Sequence, residues 1–345
     1  MRTKLFIIHQ VEGFQEEIDQ AAHIIREGGL VAIPTETVYG LGADALNEDA
    51  VRRIYEAKGR PSNNPLIIHV PSADWLEDYC RDVPEVAYRL AEQFWPGPLT
   101  MILQAKDVVP KRTTGGLDTV AVRCPSHPVA LAIIRAAGVP VAAPSANTSG
   151  RPSCTTAQHV IEDMAGKIEG IVDGGDCAVG VESTIIDLTC EPPQLLRPGG
   201  MPLEDIQAVI GTVRINGAVT SEPAPGEVPR APGMAYRHYA PKAPVTVVVG
   251  EPERSARFIQ ANVGRYSGVI CFDEFAERYP EQVVQSLGSV EDKAEQARRV
   301  FDALRAFDST QVQEIYAQCP DSDGLGLAVG NRLKKAAGFH VVEVR

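Results

Sequence analysis

No run in the 345 residues approaches the roughly 18 apolar residues that read as a membrane span. The opening MRTKLFIIHQVEGFQEE meets acidic residues too early for a secretory leader. The expectation is a cytoplasmic protein without membrane contact. Cysteines are scattered, odd in number at seven, and never in CxxC spacing, which excludes a disulfide framework and a cysteine zinc site. His23, His127, His159 and His340 fall singly in or beside helix- or strand-like segments, so no histidine metal site is expected. Basic excess is also missing. With 33 Lys and Arg against 45 Asp and Glu, the net charge of −12 argues against a surface that clings to nucleic acid as a whole, although a local basic groove is compatible with it. Neither GxxxxGK[ST] nor a helix-opening GxGxxG occurs, so any nucleotide is held some other way, and Gly40-Leu41-Gly42 and Gly174-Gly175 are too short to be phosphate loops alone. No histidine stands in a recognisable Ser/His/Asp order, which gives acyl-enzyme catalysis little support.

What is present is ordinary globular material, 44% hydrophobic and 23% charged. At about 150 residues per domain the length suggests two domains. Over residues 4–210, apolar runs (LFII, LVAI, PLIIHV, LTMIL, TVAVR, VPVAA, STIIDL) alternate with helical patterns over 14–27, 51–57 and 83–94, the rhythm of an α/β layer fold. The connection from LTMIL to TVAVR is too short for a crossover helix, so a mixed sheet is expected. Residues 221–244 are proline-rich and read as a linker. Yet Met234, Tyr236, Arg237, His238 and Tyr239 crowd into it, and such side chains usually touch something. A second α/β rhythm follows in VTVVVG, 254–262, SGVICF, 292–307, EIYA and 327–337. The expected division is a first domain over 1–215, a proline-rich linker over 216–243 and a small α/β domain over 244–345.

Polar groups gather at the ends of the apolar runs. In GGLVAIPTETVYGLGADA, Thr35, Glu36, Thr37 and Tyr39 form either a capped turn or a set of ligand groups at a strand end, where open α/β sheets bind. In EAKGRPSNNPLIIHV, Gly59 and Pro61 halt the helix, so Lys58 and Arg60 are expected to project from one turn. Those cations either neutralise the helix dipole or join Asn63, Asn64 and His69 around a polyanion such as triphosphate, Arg60 as a planar fork and Lys58 as a point charge. Thr119 and Arg123 share one face of TVAVR, and an arginine in an apolar run needs a carboxylate partner from the protein or from a ligand. Ser145, Asn147, Thr148, Ser149 and Ser153 in APSANTSGRPSCTTAQH form an N-cap or, beside Gly150, a place for close approach to a ligand. Glu182-Ser183-Thr184 and the isolated Arg197 repeat the pattern.

KGR (Lys58, Arg60) and SAN (Ser145, Asn147), flanked by PTETVYGLG, FWPGPLT and STIIDL, resemble the KxR and SxN signatures of the YrdC-like family, in its long two-domain form. The resemblance is strong over residues 30–200; APGMAYRHYAPKAPV resembles that form's linker, and the last 100 residues match mainly by position. It implies a YrdC-like twisted mixed sheet with helices around a concave cleft, plus a smaller Rossmann-like α/β domain. It also implies condensation of L-threonine, bicarbonate and ATP to L-threonylcarbamoyladenylate and pyrophosphate, the first step toward t6A in tRNA, without a covalent enzyme intermediate. Threonine contacts would fall to Thr37, His69, Arg123, the backbone near Ala143, and Ser183. ATP contacts would fall to Lys58, Arg60, Asn64, Thr119, Ser145, Asn147, Ser153 and Arg197, with Tyr236 closing from the linker as a lid. Lys58 and Arg60 would be catalytic, Mg²⁺ would be held mainly by ATP phosphates and water, and the product would pass to the tRNA threonylcarbamoyl-transfer machinery without stable tRNA binding here. The main rival is an RNA-binding module of the same type without catalysis, against which the charge and the absence of aromatic-basic stripes both weigh. A carbamoyl-transfer enzyme of the hydrogenase-maturation type would add acylphosphatase and zinc-finger modules, and this chain has neither.

Overall fold

A computed structural model describes residues 2–221, 229–234 and 238–345. Its first sheet has twelve strands. Eleven lie in the spatial order Lys4–Ile7, Gly170–Asp173, Val31–Ile33, Gly40–Asp44, Val141–Ala142, Ile67–His69, Thr119–Arg123, Leu99–Ala105, Thr184–Asp187, Gln194–Arg197 and Arg214–Ile215, while Cys80–Arg81 pairs off this path with Leu99–Ala105. The pairing is mixed, as expected: Ile67–His69 runs parallel to Thr119–Arg123, which runs antiparallel to Leu99–Ala105. Val31–Ile33 and Ile67–His69 are buried at every residue, which is why they read as unbroken apolar runs rather than alternating ones. Helices Gln15–Arg26 and Pro128–Ala137 cover one part of the sheet through Ile18, Ile25, Val129 and Ile133.

Gly40–Asp44, expected as part of a loop, is a strand antiparallel to Val31–Ile33, with Ile33 opposite Gly40. Thr35 to Tyr39 is therefore the turn of a hairpin, closed by the Thr35 hydroxyl donating to the Val38 carbonyl at 2.6 Å. A side chain at Gly40 would meet Ala143 Cβ at 3.0 Å, so glycine there lets the hairpin lie against the next segment. The glycines of GLGAD hid this strand from a reading based on apolar content.

The second sheet has five parallel strands in the order Val283–Ser286, Ser267–Cys271, Glu314–Gln318, Val245–Val249 and Val341–Glu343. With helices Pro252–Asn262, Lys293–Ala306 and Gly326–Ala336 it makes the smaller Rossmann-like layer. The two outer strands, short and partly exposed, carry too little apolar pattern to be seen in sequence. On one face of the first sheet, Ala231 and Met234 of the linker are buried against Ile67, Ile102, Ala121, Ile185 and Leu196. This part of the linker is packed structure. No helix among the described residues is long and apolar enough to cross a membrane.

Candidate functional site

The hairpin turn, the end of Ile67–His69, the end of Thr119–Arg123 and the segment after Val141–Ala142 meet in one cleft. Thr37, Arg60, His69, Arg123, Ala143, Ser145, Ser183 and Arg197 line it. His69 and Arg123 are register partners across two parallel strands, so the sheet itself fixes their spacing. Arg123 is buried; its Nη2 donates to Glu36 Oε1 at 2.6 Å and its Nη1 to Thr37 Oγ1 at 2.9 Å. Glu36 is in turn held by the Ser126 backbone N–H. Both readings of Arg123 thus have a place: it has a protein partner, and it faces the cleft with N–H groups to spare. His69 is kept neutral, its pKa pushed down to about 3 by burial and then by Arg123.

The other cations arrive from several elements. Arg197 donates to the Ser183 carbonyl from Nε and Nη2, at 3.1 and 2.9 Å, and to the Pro232 carbonyl of the linker at 3.2 Å. Arg60 emerges just past Gly59, whose φ of 63° ends helix Glu48–Lys58 in the left-handed region. Lys58 differs from expectation. It is the last residue of that helix, only 2% exposed, and its ammonium donates to the Ser145 and Asn147 carbonyls. The two cations do not project together from one turn, because Gly59 turns the chain between them: Arg60 lines the cleft while Lys58 ties the SAN segment down from beneath. Burial, then Arg60, lowers Lys58 to about 7, and burial brings Arg60 and Arg197 to about 10.

Asn64, Asn147 and Ser153 are buried behind the lining, and Ser153 donates to Glu182 Oε1 at 2.6 Å. Thr119 stands apart, at the far end of its five-residue strand from Arg123, on the order of 13 Å away at strand rise. The resemblance gives the two residues to different substrates, Arg123 to threonine and Thr119 to ATP, and a separation of that size is compatible with both. Tyr236 lies outside the described residues. The linker nonetheless supplies Pro232, Gly233, His238 and Tyr239 to the lining. Together they leave only about 40 Å³ of free volume. Among the described residues, Arg60 Nε, Asn64 Oδ1, Asn147 Oδ1 and Arg332 Nη2 are buried without a hydrogen-bond partner. Such atoms are rare in folded proteins, and a polar ligand would satisfy them. No three His, Cys, Asp or Glu side chains among the described residues stand close enough to hold a metal.

Residues 23–199 match the Sua5/YciO/YrdC family, described as "Telomere recombination", and residues 201–338 match "Threonylcarbamoyl-AMP synthase, C-terminal domain". The chain belongs to the Sua5/YrdC family. It is 52% identical to a threonylcarbamoyl-AMP synthase of Pyrococcus abyssi over 98% of this chain and 99% of the relative, and 48% identical to one of Bacillus subtilis over 99% and 100%. The crystal structure of P. abyssi Sua5 complexed with L-threonine superposes with a TM-score of 0.93 at 50% identity, covering 100% of both chains.

Within this family member, the second domain reaches the cleft. Glu182 is buried between Ser153 and Arg332, whose Nε donates to Glu182 Oε2 at 2.7 Å from helix Gly326–Ala336. Arg332, then Arg197, holds the Glu182 carboxyl down at about 2 against the opposing effect of burial. Three residues on, Lys335 donates to the Gly233 carbonyl of the linker. Tyr239, at φ 64°, packs its ring on Phe301 at 5.1 Å and under the Arg332 guanidinium at 5.5 Å. Sequence reading passed over Arg332 and Lys335. Helix GLAVGNRLKKA carries three cations, and nothing local tells that Arg332 and Lys335 are buried while Lys334 is not; only a distant carboxylate and carbonyl solve that burial.

Proposed function

We propose that the chain condenses L-threonine, bicarbonate and ATP to L-threonylcarbamoyladenylate and pyrophosphate. The observation that carries this reading is a full-length relationship to threonylcarbamoyl-AMP synthases, borne by a chain whose cleft gathers Arg123, Thr37 and His69 with Arg60 and Arg197. The spare N–H groups of Arg123 suit the threonine carboxylate, with Thr37, His69, Ser183 and the Ala143 backbone around the rest of the amino acid. Threonine's amine must be neutral to add to CO2 or bicarbonate. A cleft rich in arginine and holding neutral His69 favours loss of the ammonium proton. The resulting carbamate oxygen attacks the α-phosphorus and pyrophosphate leaves.

Lys58, Arg60 and Arg197 would neutralise the phosphates, with Ser145, Asn147, Asn64 and Ser153 ordering that side of the cleft. Mg²⁺ would enter with ATP, held by phosphate oxygens and water, and supply further charge neutralisation. This donor set fits because Glu36 and Glu182 are already engaged by Arg123 and Arg332. Ligand sites for molecules of drug size span roughly 300–1,000 Å³, so a cleft with about 40 Å³ free cannot admit ATP until the linker moves. Pro232, Gly233, His238 and Tyr239 then act as a lid that excludes water from a hydrolysable adenylate. The product would go to a tRNA threonylcarbamoyl-transfer machinery in the cytoplasm, and the net charge of −12 weighs against stable tRNA binding here.

A pyrophosphate-release assay across amino acids, with and without bicarbonate, tests the proposal. Release that needs both threonine and bicarbonate is expected. Release indifferent to either would overturn it, as would tight tRNA binding at physiological salt without any release.

A further inference from the structure

A second cavity, of about 410 Å³, lies where the second domain meets Val219 and Thr220 of the linker, and shares no lining residue with the cleft. It opens at the carboxyl ends of three parallel strands, Val245–Val249, Ser267–Cys271 and Glu314–Gln318, lined there by Gly250, Phe272 and Cys319. Open parallel sheets bind ligands at this edge, where the connections diverge and leave a crevice. The body of the cavity is apolar, with Val249, Phe272, Val290 and Leu327 on its surface. Two lysines from different helices and two carboxylates line it; one carboxylate, Glu251, is engaged as the cap of helix Pro252–Asn262, accepting from the Glu253 and Arg254 backbone N–H groups at 3.1 Å. Lys293 begins helix Lys293–Ala306 and pairs with Asp321 at 2.7 Å. Lys334 lies late in helix Gly326–Ala336 and has no carboxylate within 4.0 Å among the described residues. Both lysines line the one cavity together with the buried Cys319. An apolar pocket of this volume with one paired and one unpaired cation at its mouth suits a molecule with a flat or apolar body and a single strongly anionic group.

We propose that this cavity binds a small organic phosphate of about mononucleotide size, its phosphate at Lys334 and Lys293 and its body against Val249, Phe272 and Leu327. A phosphate carries enough charge to hold Lys334 while sharing Lys293 with Asp321. The helix that floors the cavity gives such a ligand a route to the cleft. Gly326, Gly330 and Lys334 face the cavity, Asn331 donates to the Val219 carbonyl at 2.9 Å, and Arg332 and Lys335 hold Glu182 and Gly233.

The test is calorimetric titration of the full chain with inorganic phosphate, ribose 5-phosphate, AMP and adenosine. It is run on the unaltered chain, on Arg60→Ala, on the double variant Lys293→Glu/Lys334→Glu and on the milder Lys334→Gln. Expected is binding of ribose 5-phosphate or AMP that stays within about twofold in Arg60→Ala, weakens at least tenfold in the double variant, and weakens measurably in Lys334→Gln. Inorganic phosphate should bind more weakly than the organic phosphates, and adenosine more weakly than AMP. Binding lost in Arg60→Ala but kept in both lysine variants would place the ligand in the cleft and overturn the proposal. So would the absence of binding by every probe, or equal affinity for adenosine and AMP.

Discussion

The cleft of the first sheet and the cavity of the second divide room and polarity unequally. The cleft has about 40 Å³ free, buried arginines around it, and unpartnered polar atoms at Arg60, Asn64 and Asn147. The cavity has about 410 Å³, a mostly apolar body and two partly exposed lysines at its rim. Volume alone would select the wrong region for the chemistry. The cleft is small because the linker and Tyr239 sit in it, and its cations are strongly desolvated; the cavity is large because nothing of the chain fills it. The difference teaches that room and polarity are separate properties of a concave region: the cleft is marked by buried, desolvated cations and unpartnered polar atoms, the cavity by unfilled space.

That contrast depends on Arg332 keeping the cleft's buried charges balanced, and the largest expected effect comes from removing it. Arg332→Ala leaves Glu182 buried without its partner and should cost about 3–5 kcal/mol in denaturant unfolding. Adding Glu182→Gln to the same chain should recover more than half of the loss. If Arg332→Ala unfolds like the unaltered protein, the second domain does not balance the cleft. Next is the difference between the two KxR cations. Arg60→Ala should lower pyrophosphate release about 100-fold, roughly 2.7 kcal/mol, with a smaller loss of melting temperature than Lys58→Ala, since Arg60 holds one backbone carbonyl, that of Pro65, where Lys58 holds two. Lys58→Ala should lower both, because Lys58 holds the Ser145 and Asn147 carbonyls. Near-normal release by both variants would remove the cations from the reaction.

A smaller effect is expected at the lid. Tyr239→Ala should lower turnover about tenfold and raise unproductive ATP hydrolysis, read by comparing threonine-dependent with threonine-independent pyrophosphate release. An unchanged ratio would mean that the linker does not exclude water. The smallest effect is a fraction of a proton. Lys58 is held near 7 by desolvation, and a bound polyanion raises it again. At pH 8, where Lys58 of the free protein is mostly neutral, ATP binding should therefore take up protons; at pH 6, where it is already charged, the Lys58 contribution should vanish. Binding enthalpies measured in buffers of different ionisation enthalpy report this uptake, and Lys58→Arg should abolish it.

The sequence made the first layer legible because its central strands are buried on both faces and so read as apolar blocks, and because KGR and SAN mark the cleft directly. Gly40–Asp44 escaped because a strand made of small residues packed edge to edge shows no apolar periodicity. Lys58 was placed wrongly because its local signals, a glycine and a proline after a helix, say where the helix ends but not which way each side chain leaves. Arg332 and Lys335 were illegible for another reason: their partners are 150 and 102 residues away, and no local pattern carries a separation of that size.

The Glu182–Arg332 pair also sets an order in time. Arg332 is made 150 residues after Glu182. At 5–20 residues per second, a ribosome needs roughly 8–30 s to deliver it after Glu182 has been made. Throughout that interval Glu182 has Ser153 and the charge of Arg197 for company but lacks the ion pair that the second domain brings. The last of the buried charges around Glu182 is thus set in place only when the chain is nearly complete.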